Sequence, residues 1–433
     1  MSESLRLTLP VELLTIISSL VRKADLPSLA LANKRMNQIT TPYLYTELDL
    51  FTYGSARHCL IVLNLPPVTL PFPGRVLAEC IQSFRLRITC FQYNPGTTDN
   101  VEMLGLLLAR IMPRMVNLRK LDIGPWSLTS AALVLKALVT HPYPRLQSAQ
   151  LCLFSPTRNA AATDNLAALV PLSYSQHPPL QTLAVTSLSS LSQHNHAHLC
   201  ALLSSTAGSL QRLSLTMEKT ADLRAVFPVN ATFPVLEHLE VTVRDFNDPI
   251  CTALTHIRSL AIKSQGLVIT PPGPVLTTAY PVLEELACMH SQVALFLGPD
   301  VHPRRPVHTV ELDYTKYERN GGETTEDTPR WKDVLFAFEH LQFSAVPIRH
   351  LRFYVNRLLI PALQVAMSEF PSLESLTMVV WHEPKRVRAQ SVPHAHSVAL
   401  LTLMNVARMH CLRWANGSSL GSPVCIHFFL ATS

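Results

Sequence analysis

Glycine is scarce, with 13 residues in a chain of 433. So little glycine excludes a flexible linker protein, and the absence of any GxxxxGK[S/T] run excludes the usual backbone cradle for nucleotide phosphates. Charged residues make up only 15% of the chain, too few for a segment held open by its own charge. No apolar run approaches the roughly 18 residues a membrane-spanning helix needs, so a soluble chain with no membrane partner is expected. The apolar N-terminus is interrupted by Pro10 and Glu12, which excludes a secretory h-region. The nine cysteines are odd in number, scattered from Cys59 to Cys425, and form no CxxC pair. They therefore exclude a disulfide framework and a zinc finger and predict a reducing compartment, cytoplasmic or nuclear. A net charge of +6 is modest for this length, and the basic runs HPRRP and PKRVR carry no interleaved aromatics. Nucleic acid is thus not an expected partner.

What is abundant is apolar side chain, at 48%. A chain of this length and composition buries a large core. At the N-terminus, Pro10 suits a first helical turn because its missing N–H would be unsatisfied there anyway. Glu12 follows at the positive end of the helix dipole. Leu13, Ile16, Ile17 and Leu20 then keep the spacing of one helical face. A second helix is signalled by Asp25 as N-cap, Pro27 in the first turn, and Leu29 and Leu31. NKRMNQITTP reads as a short third helix closed by Pro42. Three such helices in about 40 residues cannot bury enough surface to be stable alone.

The stretch LTLPVELLTIISSLVRKADLPSLALANKRMNQITTPYLYTELDL resembles an F-box: an LPxE start, an apolar helix, a D-L pair, a second apolar helix, and a third helix leading to P-x-L-Y. The resemblance covers residues 5–48. It implies docking on the Skp adaptor, and through it on a cullin, by Leu9, Pro10, Glu12, Leu13, Ile16, Ile17, Leu29 and Leu31. Many F-boxes carry Cys and Trp in the third helix, where this chain has Asn33 and Met36. Read without the resemblance, LPVELL starts a helix that caps the downstream domain.

Beyond residue 49 an apolar pattern, φ-x-x-φ-x-φ, recurs eleven times. It stands as IQSFRL at 81, LRKLDI at 118, LQSAQL at 146, LQTLAV at 180, LQRLSL at 210, LEHLEV at 236, IRSLAI at 257, LEELAC at 283, VHTVEL at 307, IRHLRF at 348 and LESLTM at 373, weakest at Phe84, Ala149 and Cys288. FPVLEHL, YPVLEEL and FPSLESL also share an aromatic-proline lead-in. The last two apolar positions are two apart, which is strand spacing with both side chains inward. Between copies, VEMLGLLLARIM, SAALVLKALV, HAHLCALLSS, WKDVLFAFEH and PALQVAMSEF have helical periodicity. One strand and one helix cannot bury their own apolar face, so the units must stack.

This array is similar to the leucine-rich repeat family, and its pairing with an F-box is familiar in fungal proteins. The fold class expected is α/β: a three-helix F-box at 5–48, a linker and first strand at 49–76, an irregular horseshoe-like solenoid at 77–414, and an irregular tail at 415–433. The usual asparagine or cysteine of LxxLxLxxN is mostly absent, and spacings of 21 to 41 residues exceed the family's roughly 20 to 29. Long loops are therefore expected, among them DYTKYERNGGETTEDTPRW between the copies at 307 and 348, LFSPTRNAAATDN at 153–165, and the proline-rich NLPPVTLPFPGR at 64–75.

Catalytic motifs fail on context. GSSLG at 417–421 matches a nucleophile elbow, but no acidic residue follows Glu383 and Pro423 comes almost at once. SQHNHAHLC, with His194, His196 and His198 near Cys200, reads as a solvated polar loop rather than a metal site. No catalytic residue, metal or cofactor is expected. What remains is recognition. The residue between the two inward apolar positions points away from the core, and by the resemblance onto the concave face. That row reads Asp122, Gln150, Ala184, Ser214, Glu240, Ala261, Ala287, Glu311, Arg352 and Thr377, of which Asp122, Gln150, Ser214, Glu240, Glu311 and Arg352 are candidate contacts for a protein target. Together the resemblances imply the substrate-recognition subunit of an SCF-type cullin–RING ubiquitin ligase. The alternative is a non-catalytic leucine-rich-repeat scaffold or regulator without a ubiquitin role.

Overall fold

The computed structural model describes residues 9–65, 77–88, 98–154, 179–187, 193–217, 226–228, 232–243, 256–264, 280–313, 331–355, 365–366, 368–382 and 425–432. The chain divides into two compact units, Met1–Leu236 and Glu237–Ser433.

The first unit opens with three helices, α1 (Val11–Leu20), α2 (Leu26–Ala32) and α3 (Lys34–Thr46), with α3 packed against both others. There follow β1 (Glu47–Leu50), α4 (Tyr53–Asn64), β2 (Ser83–Leu86), α5 (Thr98–Ile111), β3 (Lys120–Ser127), α6 (Leu128–Thr140), β4 (Ser148–Phe154), β5 (Thr182–Ser187), α7 (Gln193–Thr206) and β6 (Arg212–Met217). The strands pair in parallel and in chain order from β1 to β6. The second unit repeats the plan with β7 (His238–Val243), β8 (Ser259–Ser264), β9 (Glu285–Met289), α8 (Val293–Leu297), β10 (Thr309–Asp313), α9 (Trp331–Leu341), β11 (His350–Val355), β12 (Ser375–His382) and β13 (Cys425–Thr432). These too are parallel and in chain order. Each unit is thus a solenoid-like α/β array. Among the described residues no helix is long and apolar enough to cross a membrane.

Each of the eleven repeated patterns forms one strand, β2 to β12. All three apolar positions of every copy are buried, including the weak Phe84, Ala149 and Cys288. The helices bury one stripe apiece, as the periodicity predicts: Leu104, Leu108 and Ile111 on α5; Val134, Leu135 and Leu138 on α6; Leu199, Leu202 and Leu203 on α7. On α9, Phe338 lies edge-on to Phe353 of β11 at 5.8 Å and to Phe370 at 5.7 Å.

The aromatic-proline lead-in is a tight turn. Leu236 N–H donates to Phe233 O, Leu283 to Tyr280 O and Leu373 to Phe370 O at 3.1–3.3 Å, and each aromatic is buried. Proline at the second position presets the φ this turn needs. Tyr143-Pro144 makes the same turn to Leu146. Just after it, the residue before many of the strands offers one carbonyl to two N–H groups of the next copy. Gln82 O accepts from Arg119 and Lys120, Arg119 O from Gln147 and Ser148, Gln147 O from Gln181 and Thr182, and Gln181 O from Gln211 and Arg212. In the second unit Glu237, Arg258, Glu284, His308 and Arg349 do likewise.

Several expectations are corrected. Pro42 does not close the third helix, which runs through it to Thr46. The packing of α3 against α1 and α2 outweighs the proline's cost of about 3 kcal/mol, and the hydroxyls of Thr40 and Thr41 donate to Met36 O and Asn37 O at 2.8 and 2.6 Å. The stretch 49–76, expected as linker and first strand, also holds a helix. Thr52 accepts from Ser55 N–H and caps α4, which buries Ala56, Leu60 and Leu63. The tail at 415–433 is not wholly irregular, because 425–432 forms β13 beside β12; it lacks the leading apolar anchor that marks the other copies. SQHNHAHLC is not a loop. Its residues from 193 onward are the first turns of α7, which turns Asn195, His198 and Leu199 inward. The proline-rich stretch beyond Leu65, most of LFSPTRNAAATDN, the insertion at 314–330, half of PALQVAMSEF and all of GSSLG lie outside the described residues.

Leu213, fully enclosed in β6, sets the scale for the core. Leu213→Ala is expected to lower unfolding free energy by about 2–5 kcal/mol in urea titration. Gly124→Ala is expected to cost about 1–3 kcal/mol, because an added Cβ would lie 2.9 Å from Arg87 Cα.

Candidate protein-interaction surfaces

Helix α1 is amphipathic in an unusual sense. Its only buried residue is polar, Ser18 at 1% exposure, whose hydroxyl donates to Leu14 O at 2.8 Å. Leu13, Ile16, Ile17 and Leu20 share the opposite side and are exposed, Leu20 at 79%. Leu9 and Val11, just before and at the helix start, are exposed as well, as are Pro10 and Glu12. On α2, Leu31 is 84% exposed, Leu29 is half-buried, and Leu26 and Ala30 hold the helix down. Exposed apolar side chains grouped on adjacent short helices make this face a candidate interaction site.

Asn33 and Met36 take structural roles. Asn33 is the N-cap of α3, its side-chain oxygen accepting from Met36 N–H at 2.8 Å. Met36 itself is buried. Asp25 precedes α2 as expected but makes no side-chain cap bond; its carboxylate takes Arg22 Nε at 3.0 Å.

The second surface is the outward face of the strands. Register places Asp122, Gln150, Ala184 and Ser214 directly opposite one another across β3 to β6. In the second unit Glu240, Ala261, Ala287, Glu311, Arg352 and Thr377 form the corresponding row. Gln150 and Arg352 are exposed, and Ser214, Glu240 and Glu311 half-buried. Glu311 pairs with Arg352 at 3.5 Å. Asp122 is gripped by Arg85 and Arg87, and Arg85 also reaches Asp49 at 3.7 Å. Asp49 and Arg85 extend the first row, and the backbone of His427 the second. The row read from the sequence omits these three. Arg85 and Asp49 stand between apolar pairs in FRL and LDL, so the signal for both was present.

These surfaces offer little to a metal or a nucleophilic reaction. Among the described residues no three His, Cys, Asp or Glu side chains cluster as a metal site would require. Burial pushes the thiol of Cys59 up to about 11 and that of Cys288 further. Cys152 is raised by burial first and by the Asp122 charge second. Thiols shifted in this direction are poor nucleophiles near neutrality. No protein-family model matches the chain, and no curated protein matches it in sequence.

If the exposed apolar side chains of α1 and α2 contribute nothing to packing within the chain, Ile17→Gln and Leu31→Gln should change stability by no more than about 0.5 kcal/mol. Leu26→Ala should cost about 2–5 kcal/mol by cavity formation, and Asn33→Ala about 0.5–2 kcal/mol through loss of the cap. Thermal unfolding of the four variants checks all three statements.

Proposed function

We propose that the chain is the substrate-recognition subunit of an SCF-type cullin–RING ubiquitin ligase, with an F-box at its N-terminus and a leucine-rich-repeat-like array behind it. The single observation that supports this most is the inverted helix α1, which buries Ser18 and leaves Leu13, Ile16, Ile17 and Leu20 outside. A helix that only capped the array would bury its apolar face, since each such side chain gains about 1.5–3 kcal/mol by leaving water. The exposed set coincides with most of the residues that the F-box resemblance assigns to the Skp adaptor: Leu9, Pro10, Glu12, Leu13, Ile16, Ile17 and Leu31.

In this reading the chain performs no chemistry itself. The adaptor-bound helices tether it to the cullin, and the outward strand face holds a target protein. Ubiquitin transfer then gains from proximity, because target lysines are held at high effective concentration near the charged conjugating enzyme.

Capture on immobilised Skp adaptor tests the reading. Wild type is expected to be retained, and Ile16→Glu with Ile17→Glu to lose about tenfold or more of that retention, each substitution placing a charge in an apolar contact. Thermal stability should be unchanged. A wild-type chain that captures no adaptor, or a variant that captures as much as wild type, overturns the assignment.

A further inference from the structure

Arg85 and Arg87 lie two positions apart at the end of β2 and converge on one carboxylate oxygen. Arg85 Nε is 3.0 Å and Arg87 Nη2 2.6 Å from Asp122 Oδ2. The acid is the covered partner, at 16% side-chain exposure, and the two guanidiniums are the open ones, at 45% and 46%. Carboxylate lies beneath and cation on top. Gly124, two positions after Asp122, makes this possible, since any Cβ there would press on the Arg87 backbone and the base of its side chain. Exposed Lys120 stands two positions before Asp122 on the same face, and Glu47 and Asp49 lie on the far side of Arg85, on β1. In the second unit the order recurs, with Arg352 more exposed than the Glu311 beneath it.

We propose that Arg85 and Arg87 form an oxyanion receptor that takes an anionic side chain, phosphorylated or acidic, from a target peptide. This rests on reading the outward strand face as the target-binding surface and does not depend on the ubiquitin role. Each guanidinium carries five N–H donors in a planar fork. Asp122 Oδ2 takes one from each and Asp49 lies 3.7 Å from Arg85 Nη1, so most donors of the two half-exposed forks stay available beside one point. Two forks so placed match an oxyanion with several acceptor oxygens. Holding both long side chains in place beforehand removes most of the ordering cost that a free arginine would lose on binding. Asp122 is therefore a positioning residue, and the arginines make the contact. A phosphate group, with about −1.5 to −2 charge and three acceptor oxygens, competes with Asp122 for the arginines more strongly than a carboxylate does.

The test uses the full chain and three fluorescent degenerate peptide pools, centred on phosphoserine, glutamate or serine, with binding read by polarisation. Wild type should bind the phosphoserine pool, the glutamate pool, or both, and not the serine pool; which of the two is favoured tells the source of the oxyanion. Inorganic phosphate should displace the bound pool. Arg85→Ala with Arg87→Ala should weaken binding by about tenfold or more, while Arg57→Ala, at an exposed position on α4 away from the strand face, leaves it unchanged. Arg85→Lys with Arg87→Lys keeps the charge and removes the fork, and should lie between the two, which separates recognition from misfolding. Binding of all three pools alike, binding of none, or a double alanine variant that binds as wild type does, overturns the proposal. Adaptor capture measured on the same preparations keeps the ligase reading separate, because loss of adaptor capture with intact peptide binding refutes only the former.

Discussion

Within each unit, one carbonyl shared by two N–H groups holds successive repeats together. Gln181 O, for example, takes Gln211 N–H and Arg212 N–H, both at 2.9 Å. Where it occurs, this fixes the start of a strand against its neighbour, and the residues downstream inherit the register. With the start fixed, side-chain period two decides which residues enter the core and which face out. A slip of one residue would put Leu213 and Leu215 into solvent and bury Ser214. The apolar pairs enforce the register, and the shared carbonyl locates it.

The same constraint explains why the outward rows are so well defined. Asp49, Arg85 and Asp122 meet in a charge ladder only because β1, β2 and β3 start level with one another. Gly124 then lets Arg87 lie close to β3, where a larger residue would force the strands apart. Fold and candidate recognition site are thus consequences of one backbone arrangement. The N-terminal helices obey a different logic. Ser18 and Leu14 face the packed side of α1, with the apolar side turned away, so in this module burial and apolarity separate.

Much of this was legible in the sequence. The φ-x-x-φ-x-φ pattern located β2 to β12 and the outward row, because burial on one face of a parallel strand leaves a strict period of two. The exposed apolar face of α1 was readable from the spacing of Leu13, Ile16, Ile17 and Leu20, but not its direction, since periodicity says which residues share a face and not what covers it. Helix α3 passing through Pro42 was not readable, because tertiary packing overrides a local breaker. β13 was missed for want of its leading anchor, and α4 because Ala56, Leu60 and Leu63 give only a thin stripe. The pairing of Arg85 and Arg87 with Asp122 needed coordinates, as both arginines stand more than thirty positions from that acid in the chain.

The central claim is that the apolar side of α1 is built for a partner and is not part of the fold's own core. Hydrogen–deuterium exchange of the full chain, with and without saturating Skp adaptor, tests it most directly. The account predicts slowed exchange confined to residues 9–32, with amides of β2 to β12 unchanged. No protection in that segment, or protection spread evenly through the strands, would contradict it.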